Sequence, residues 1–140
     1  CSEGVSLLAG ESAELKTLHV RSTSRNACVF LTSVDRAPLA ESRRMVLVYS
    51  TAALNSGLRM SADQSTIFDK GANPVLLQTG KLLAELNLPP GNWTCYALSV
   101  NGIRRERLPL SPSDGKWTFS LDTSVLKNGP TPFFEFIATP

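Results

Sequence analysis

Histidine is nearly absent from this 140-residue chain: His19 is the one instance. A Ser-His-Asp triad could form only around it, and it stands between Leu18 and Val20 with no motif nearby. Cysteine is scarce as well. Cys1, Cys28 and Cys95 lack the close pairing of a zinc site. No apolar run approaches the roughly 20 residues that cross a bilayer as a helix, and no signal peptide is visible. Nor does one sign of charge dominate, since 14 basic against 12 acidic residues leave a net charge of +2. The densest basic stretches, Arg43-Arg44 and Arg104-Arg105-Glu106-Arg107, are too short for a phosphate-tracking stripe. Strand alternation puts Arg105 and Arg107 on one face and Arg104 and Glu106 on the other, as in a solvated edge strand. The expectation is a chain with no nucleic-acid partner, no membrane span, no metal and no cofactor.

What is present is a globular composition, 42% hydrophobic and 19% charged, with length enough for one good core. Short apolar runs alternate with turn residues. Strands are expected at 5–9, 15–21, 27–34, 44–51, 75–77, 81–88, 93–100, 103–108, 116–121 and 133–138. Turn signals between them include Pro89-Pro90-Gly91, Asn101-Gly102, Ser113-Asp114-Gly115 and Asn128-Gly129-Pro130. The pattern predicts an all-β fold, an antiparallel β-sandwich of immunoglobulin-like or jelly-roll type, with residues 1–140 as a single domain. Asn101-Gly102 predicts a two-residue hairpin turn. The run Met45-Val46-Leu47-Val48-Tyr49 is apolar on both faces, which predicts a central strand covered twice, by an extra layer, the rest of a parent protein or a partner. Residues 52–70 are polar, irregular and longer than ordinary loops, so they are expected to carry function or to cover the sheet.

Cys28 and Cys95 both fall in strand runs, and two readings stand. They are buried thiols acting as small hydrophobes, or a disulfide joining distant strands in an oxidising compartment. Cys1 fits the first residue of a mature bacterial lipoprotein, but a fragment boundary is the reading favoured here.

No nucleophile elbow surrounds Ser50, Ser56 or Ser61. A glycosidase needs only two facing carboxylates, so Glu41, Asp63, Asp69, Glu85 and Glu106 stay in view, while Asp63 and Asp69 lack a calcium-loop signature. The expectation is a protein that is not an enzyme. The aromatics carry more, because sugar rings stack their C–H faces on flat side chains. Trp93, Tyr96, Trp117 and Tyr49 are the candidate carbohydrate-binding residues. Trp117 shares its strand face with Phe119 and Leu121, which points toward the core. Trp93 follows Pro89-Pro90-Gly91-Asn92 at the start of a strand, which makes it the leading stacking candidate, with Tyr96 second. Asn92-Trp93-Thr94 also fits an N-glycosylation sequon.

The stretch Val29-Phe30-Leu31-Thr32-Ser33-Val34-Asp35, then Pro38-Leu39-Ala40-Glu41-Ser42-Arg43-Arg44, then an apolar strand and Leu54-Asn55-Ser56-Gly57, resembles the C-terminal β-sandwich accessory module of bacterial secreted glycoside hydrolases. Pro74-Val75-Leu76-Leu77, Tyr96-Ala97-Leu98-Ser99-Val100-Asn101-Gly102 and Phe133-Phe134-Glu135-Phe136 extend the likeness. The resemblance implies a secreted, non-catalytic carbohydrate-binding module that targets an attached glycoside hydrolase to polysaccharide, a plant-type glycan among the options. The alternative it leaves is an immunoglobulin-like structural spacer supporting that catalytic domain, with residues 40–44 packing against it.

Overall fold

In a computed structural model, which describes residues 1–139, the alternating runs form fifteen strands. They are β1 (Ser2–Leu7), β2 (Ala13–Glu14), β3 (Leu18–Thr23), β4 (Ala27–Ser33), β5 (Arg44–Ser50), β6 (Ala53–Ser56), β7 (Arg59–Met60) and β8 (Ile67–Asp69). Then come β9 (Ala72–Leu77), β10 (Lys81–Leu86), β11 (Asn92–Leu98), β12 (Arg104–Leu108), β13 (Ser111–Ser113), β14 (Lys116–Asp122) and β15 (Phe133–Thr139). Among the described residues there is no helix.

Two antiparallel sheets make the body, a six-stranded one in the order β1-β4-β5-β15-β11-β12 and a five-stranded one in the order β13-β14-β10-β3-β2. The strand period of two aims one set of side chains inward from each. Val29, Leu31, Met45, Leu47, Phe134 and Phe136 come from the first sheet, and Leu18, Val20, Leu82, Ala84, Leu86 and Phe119 from the second, all in one buried cluster. Phe119 packs edge-on to Phe136 across the sandwich, ring centroids 5.2 Å apart, and tilted to Phe134 at 5.8 Å. Such offset and edge-to-face pairs are favoured by the ring quadrupole. The all-β antiparallel sandwich read from the sequence is therefore the fold.

Three local expectations are corrected. The hairpin at Asn101-Gly102 forms, but its loop has three residues: Ser99 N donates to Ile103 O, Gly102 N donates to Ser99 O, and only Gly102 takes positive φ, at 81°. Second, the register of β11 on β12 shifts at Ala97/Leu98, opposing Arg104 to Leu98 while Arg107 opposes Tyr96. This bulge puts Arg104 over Tyr96 on the outer face, rather than beside Glu106. As expected, β5 is central in its sheet; its outer residues Val46 and Val48 are half-buried, with no second layer of this chain over them among the described residues. Third, residues 52–70 do not cover the sheet. They join residues up to 78 in an exposed ribbon, β6 paired with β9 and β7 with β8 beyond it. The ribbon's root is closed by Gln78 N donating to Ala52 O at 2.8 Å and Thr51 Oγ1 donating to Gln78 O at 2.6 Å.

The Cys28–Cys95 disulfide is also excluded. All three cysteines are free. Cys28 is exposed on the outer face of β4 and Cys95 is buried on the inner face of β11. Three strand steps separate them, about 14 Å at ~4.8 Å per strand. A disulfide needs Cα atoms within about 7 Å.

Residues 35–44 form a closed loop before β5. The Asp35 carboxylate accepts from Arg43 N at 2.7 Å, Ser42 Oγ at 2.8 Å and Arg44 N at 3.2 Å. Burial pushes the Asp35 carboxyl up, but these donors outweigh it and hold it below its ordinary value.

Candidate functional site

The four aromatics picked out as binding residues do not share a surface. Tyr49 is core: its hydroxyl donates to Lys81 O at 3.2 Å and lies 3.0 Å from the Thr23 hydroxyl, tying β5 to the opposite sheet. Trp93 is 4% exposed and lies inward with Cys95 and Ala97. Neither can stack on a ligand, because a stacking ring needs an open face. Tyr96 is half-buried on the outer face of β11, and the Arg104 guanidinium sits over its ring at 4.9 Å. Trp117 is half-buried at one end of the sandwich, where β14 pairs with Pro112 of β13 and Leu86 of β10.

Trp117 is part of the lining of a cleft of about 350 Å³ with Pro89, Pro90, Gly91, Pro112 and Asp114. Each wall has a local cause. Ser113 pairs with Lys116, so Asp114-Gly115 is a two-residue hairpin loop, and both residues take positive φ, at 47° and 77°. Those signs belong to a turn whose twist matches its strands, and an Asp-Gly pair provides them. On the other side Trp93 Nε1 donates to Pro89 O at 2.8 Å and Arg43 Nη1 donates to Pro90 O at 2.6 Å. A Cβ at Gly91 would stand 3.0 Å from that guanidinium nitrogen. Trp93 thus belongs to the site indirectly, as the buried anchor of one wall. Lys116 Nζ, at the base of the same hairpin, lies 3.2 Å from His19 Nδ1 and 3.7 Å from Glu85 Oε2.

Of the residues considered for catalysis, His19 and Glu85 stand opposite each other across β3 and β10, and the others are held apart. His19 points outward as its strand position implies, but it is buried beneath Glu14, 3.0 Å from Nδ1, and Asn87, 3.1 Å from Nε2. Glu85 pairs with Arg21 at 2.6 Å, Glu106 accepts from Lys127 N at 2.8 Å, and Glu41 lies in the 35–44 loop. Asp63 and Asp69 sit out on the ribbon. Asp63 accepts from Ser61 and Ser65 hydroxyls, which hold its carboxyl below the ordinary value, and Asp69 accepts from Gly71 N at 2.9 Å.

Sequence reasoning missed the network on the outer face of the six-stranded sheet. Glu135 on β15 has a nearly inaccessible side chain, and Arg44 Nε reaches one carboxylate oxygen at 2.6 Å while Arg104 Nε reaches the other at 2.5 Å. Arg104 starts from β12, so it crosses β11 and Tyr96 to get there. The signal was a lone carboxylate inside the aromatic run Phe133-Phe134-Glu135-Phe136, a place where a charge needs partners.

Fold and site together define an all-β sandwich with a tryptophan-lined cleft at one end. No protein-family model, no curated protein and no solved structure matches the chain.

Proposed function

We propose that this chain is a non-catalytic module that holds a glycan in the Trp117 cleft and so keeps an attached catalytic domain near its polysaccharide. The observation that carries the reading is the half-buried indole of Trp117 in a cleft of about 350 Å³, walled by the Asp114-Gly115 hairpin and the hydrogen-bonded Pro89–Gly91 turn. A flat ring with polar groups around it is what a pyranose requires, and such stacking contributes on the order of 1 kcal/mol per ring. Tethering then raises the local substrate concentration without any chemistry in this chain. Tyr96 is a weaker contributor, since Arg104 already occupies its ring face.

Affinity electrophoresis against soluble plant polysaccharides tests the proposal. The wild-type chain should be retarded by at least one glycan, Trp117→Ala should lose most of that retardation at temperatures where it remains folded, and Tyr96→Ala should keep most of it. Retardation indifferent to Trp117 would move the site elsewhere. A wild-type chain that no glycan retards would leave the second reading, a structural spacer. The burial of Trp93 and Tyr49 favours that reading, because it removes two of the four candidate stacking rings.

A further inference from the structure

The two outer sheet faces differ in charge. On the five-stranded sheet, Arg21, Lys81 and Lys116 are matched by Glu14, Glu85 and Asp122, with Arg21 2.6 Å from Glu85 and Lys81 3.5 Å from Asp122. On the six-stranded sheet, Arg44, Arg104 and Arg107 stand against the single carboxylate of Glu135. The β-bulge between β11 and β12 is what gathers them. Residues three apart in a regular strand point opposite ways. The shifted register turns Arg104 outward, so that it lies over the same Tyr96 ring that Arg107 opposes.

Arg44 and Arg104 are also held in place. Each gives its Nε to Glu135, whose side chain is nearly inaccessible, and among the described residues their Nη groups donate to nothing else. Arg107 is exposed and makes no hydrogen bond or ion pair among the described residues. Apolar residues packed in place of the buried carboxylate and its partners would hold the strands about as well. What Glu135 provides is orientation, two guanidiniums fixed on one face with donors to spare. Donors that are already ordered lose little freedom when an acceptor arrives.

This face runs to the Trp117 cleft. Ile137, opposite Arg44, lies two residues from Thr139, which pairs with Asn92 beside the cleft wall at Gly91. Arg43 joins the two areas, with its Nη1 on Pro90 O. We infer that the arginine face binds the uronic acid units of a glycan whose neutral units enter the cleft, an inference that rests on the glycan reading above. A guanidinium's fork of N–H donors matches the two oxygens of a carboxylate. The cleft suits the neutral part, because the Asp114 carboxylate in its lining accepts from hydroxyls and repels an acid.

Isothermal titration calorimetry on the full chain provides the test, with circular dichroism to verify folding. The probes are glucuronoxylan and the same polymer after reduction of its carboxyl groups. The wild type should bind the acidic polymer about tenfold more tightly than the reduced one, and the gap should shrink as salt rises. Arg107→Gln removes an exposed side chain and should weaken binding of the acidic polymer by about tenfold. Arg104→Gln/Glu135→Gln keeps the net charge and leaves no carboxylate buried alone, so a matching loss separates held arginines from bulk charge. Should that variant not fold, Arg107→Gln decides alone. Neither variant should change binding of the reduced polymer. Equal binding of the two polymers by the wild type, or wild-type affinity in either folded variant, overturns the inference and leaves the glycan reading standing. Binding to neither polymer overturns the inference too, and the electrophoretic panel then decides the glycan reading separately. Arginine-dependent binding that Trp117→Ala leaves intact supports the arginine face and overturns the cleft reading instead.

Discussion

Trp93 is the residue whose position most changes the chemistry. Its indole fills the core beside Cys95 and Ala97 while its N–H fixes the Pro89 carbonyl, so truncation should open a cavity and release a cleft wall together. Trp93→Ala is expected to lose about 3–5 kcal/mol in urea unfolding, and any loss of glycan affinity should follow from that. An unchanged midpoint would contradict its place in the core. The cysteines give a second residue-level expectation. Burial first, and the Glu135 charge second, push the Cys95 thiol well above its ordinary value, whereas Cys28 is exposed. A thiol reagent should therefore label Cys1 and Cys28 in the folded chain and Cys95 only on unfolding, with three thiols in the unreduced, unfolded protein. Fewer than three would bring a disulfide back. Part of this was legible beforehand. Trp93 has the parity of Cys95 and Ala97, an inward set, but the neighbouring Pro-Pro-Gly turn suggested an exposed strand end. For Cys28 parity was silent, because Ala27, Val29 and Leu31 on one side and Cys28 and Phe30 on the other are all apolar.

At the scale of elements, Glu135 acts as a clasp over four adjacent strands, β5 to β12, through Arg44 and Arg104. Burial alone would raise its carboxyl, but the hydrogen bonds from Arg104 and then Arg44 outweigh that and hold it below its ordinary 4.5. A carboxyl depressed in the folded state gives its full stabilisation above the unfolded value, and loses it as pH falls through the folded value. Glu135→Gln should be less stable than wild type by about 1–3 kcal/mol at neutral pH. That gap should narrow steadily below pH 4.5. A gap that is constant with pH would assign the acid sensitivity to other groups, such as Asp35. The β11–β12 hairpin offers a backbone counterpart. Gly102 sits at φ 81°, so Gly102→Ala should cost about 1–2 kcal/mol in thermal or urea unfolding; no cost would mean that the loop adopts another turn. Asn-Gly between two apolar runs announced this hairpin. The extra loop residue and the bulge that turns Arg104 outward follow from how the two strands twist against each other, which no single segment encodes.

Over the whole molecule, the legible part was whatever has one wet face. Strands such as β10 and β14 alternate because one side meets the core. Residues 75–77 read as a strand and 52–70 stood out as a long segment, but their pairing into a ribbon was hidden because both its faces are exposed and nothing in residues 53–77 is forced to alternate. The cleft escaped for a different reason: its walls come from residues 88–91 and 112–117, brought together only by the pairing of β10, β14 and β13. The order of strands has a consequence in time. The last of these fifteen strands in chain order, β15, is seven residues long and lies in the middle of the larger sheet, between β5 and β11. As the chain leaves the ribosome, β1-β4-β5 and β11-β12 must wait as two open pieces, each with a bare edge, until residues 133–139 arrive to join them. Closure cannot proceed piecemeal along the nascent chain. It waits for β15, through contacts distant in sequence, which is the slow way for a sheet to form. A chain stopped at residue 132 should accordingly show no cooperative thermal transition, having lost the strand that joins its two halves.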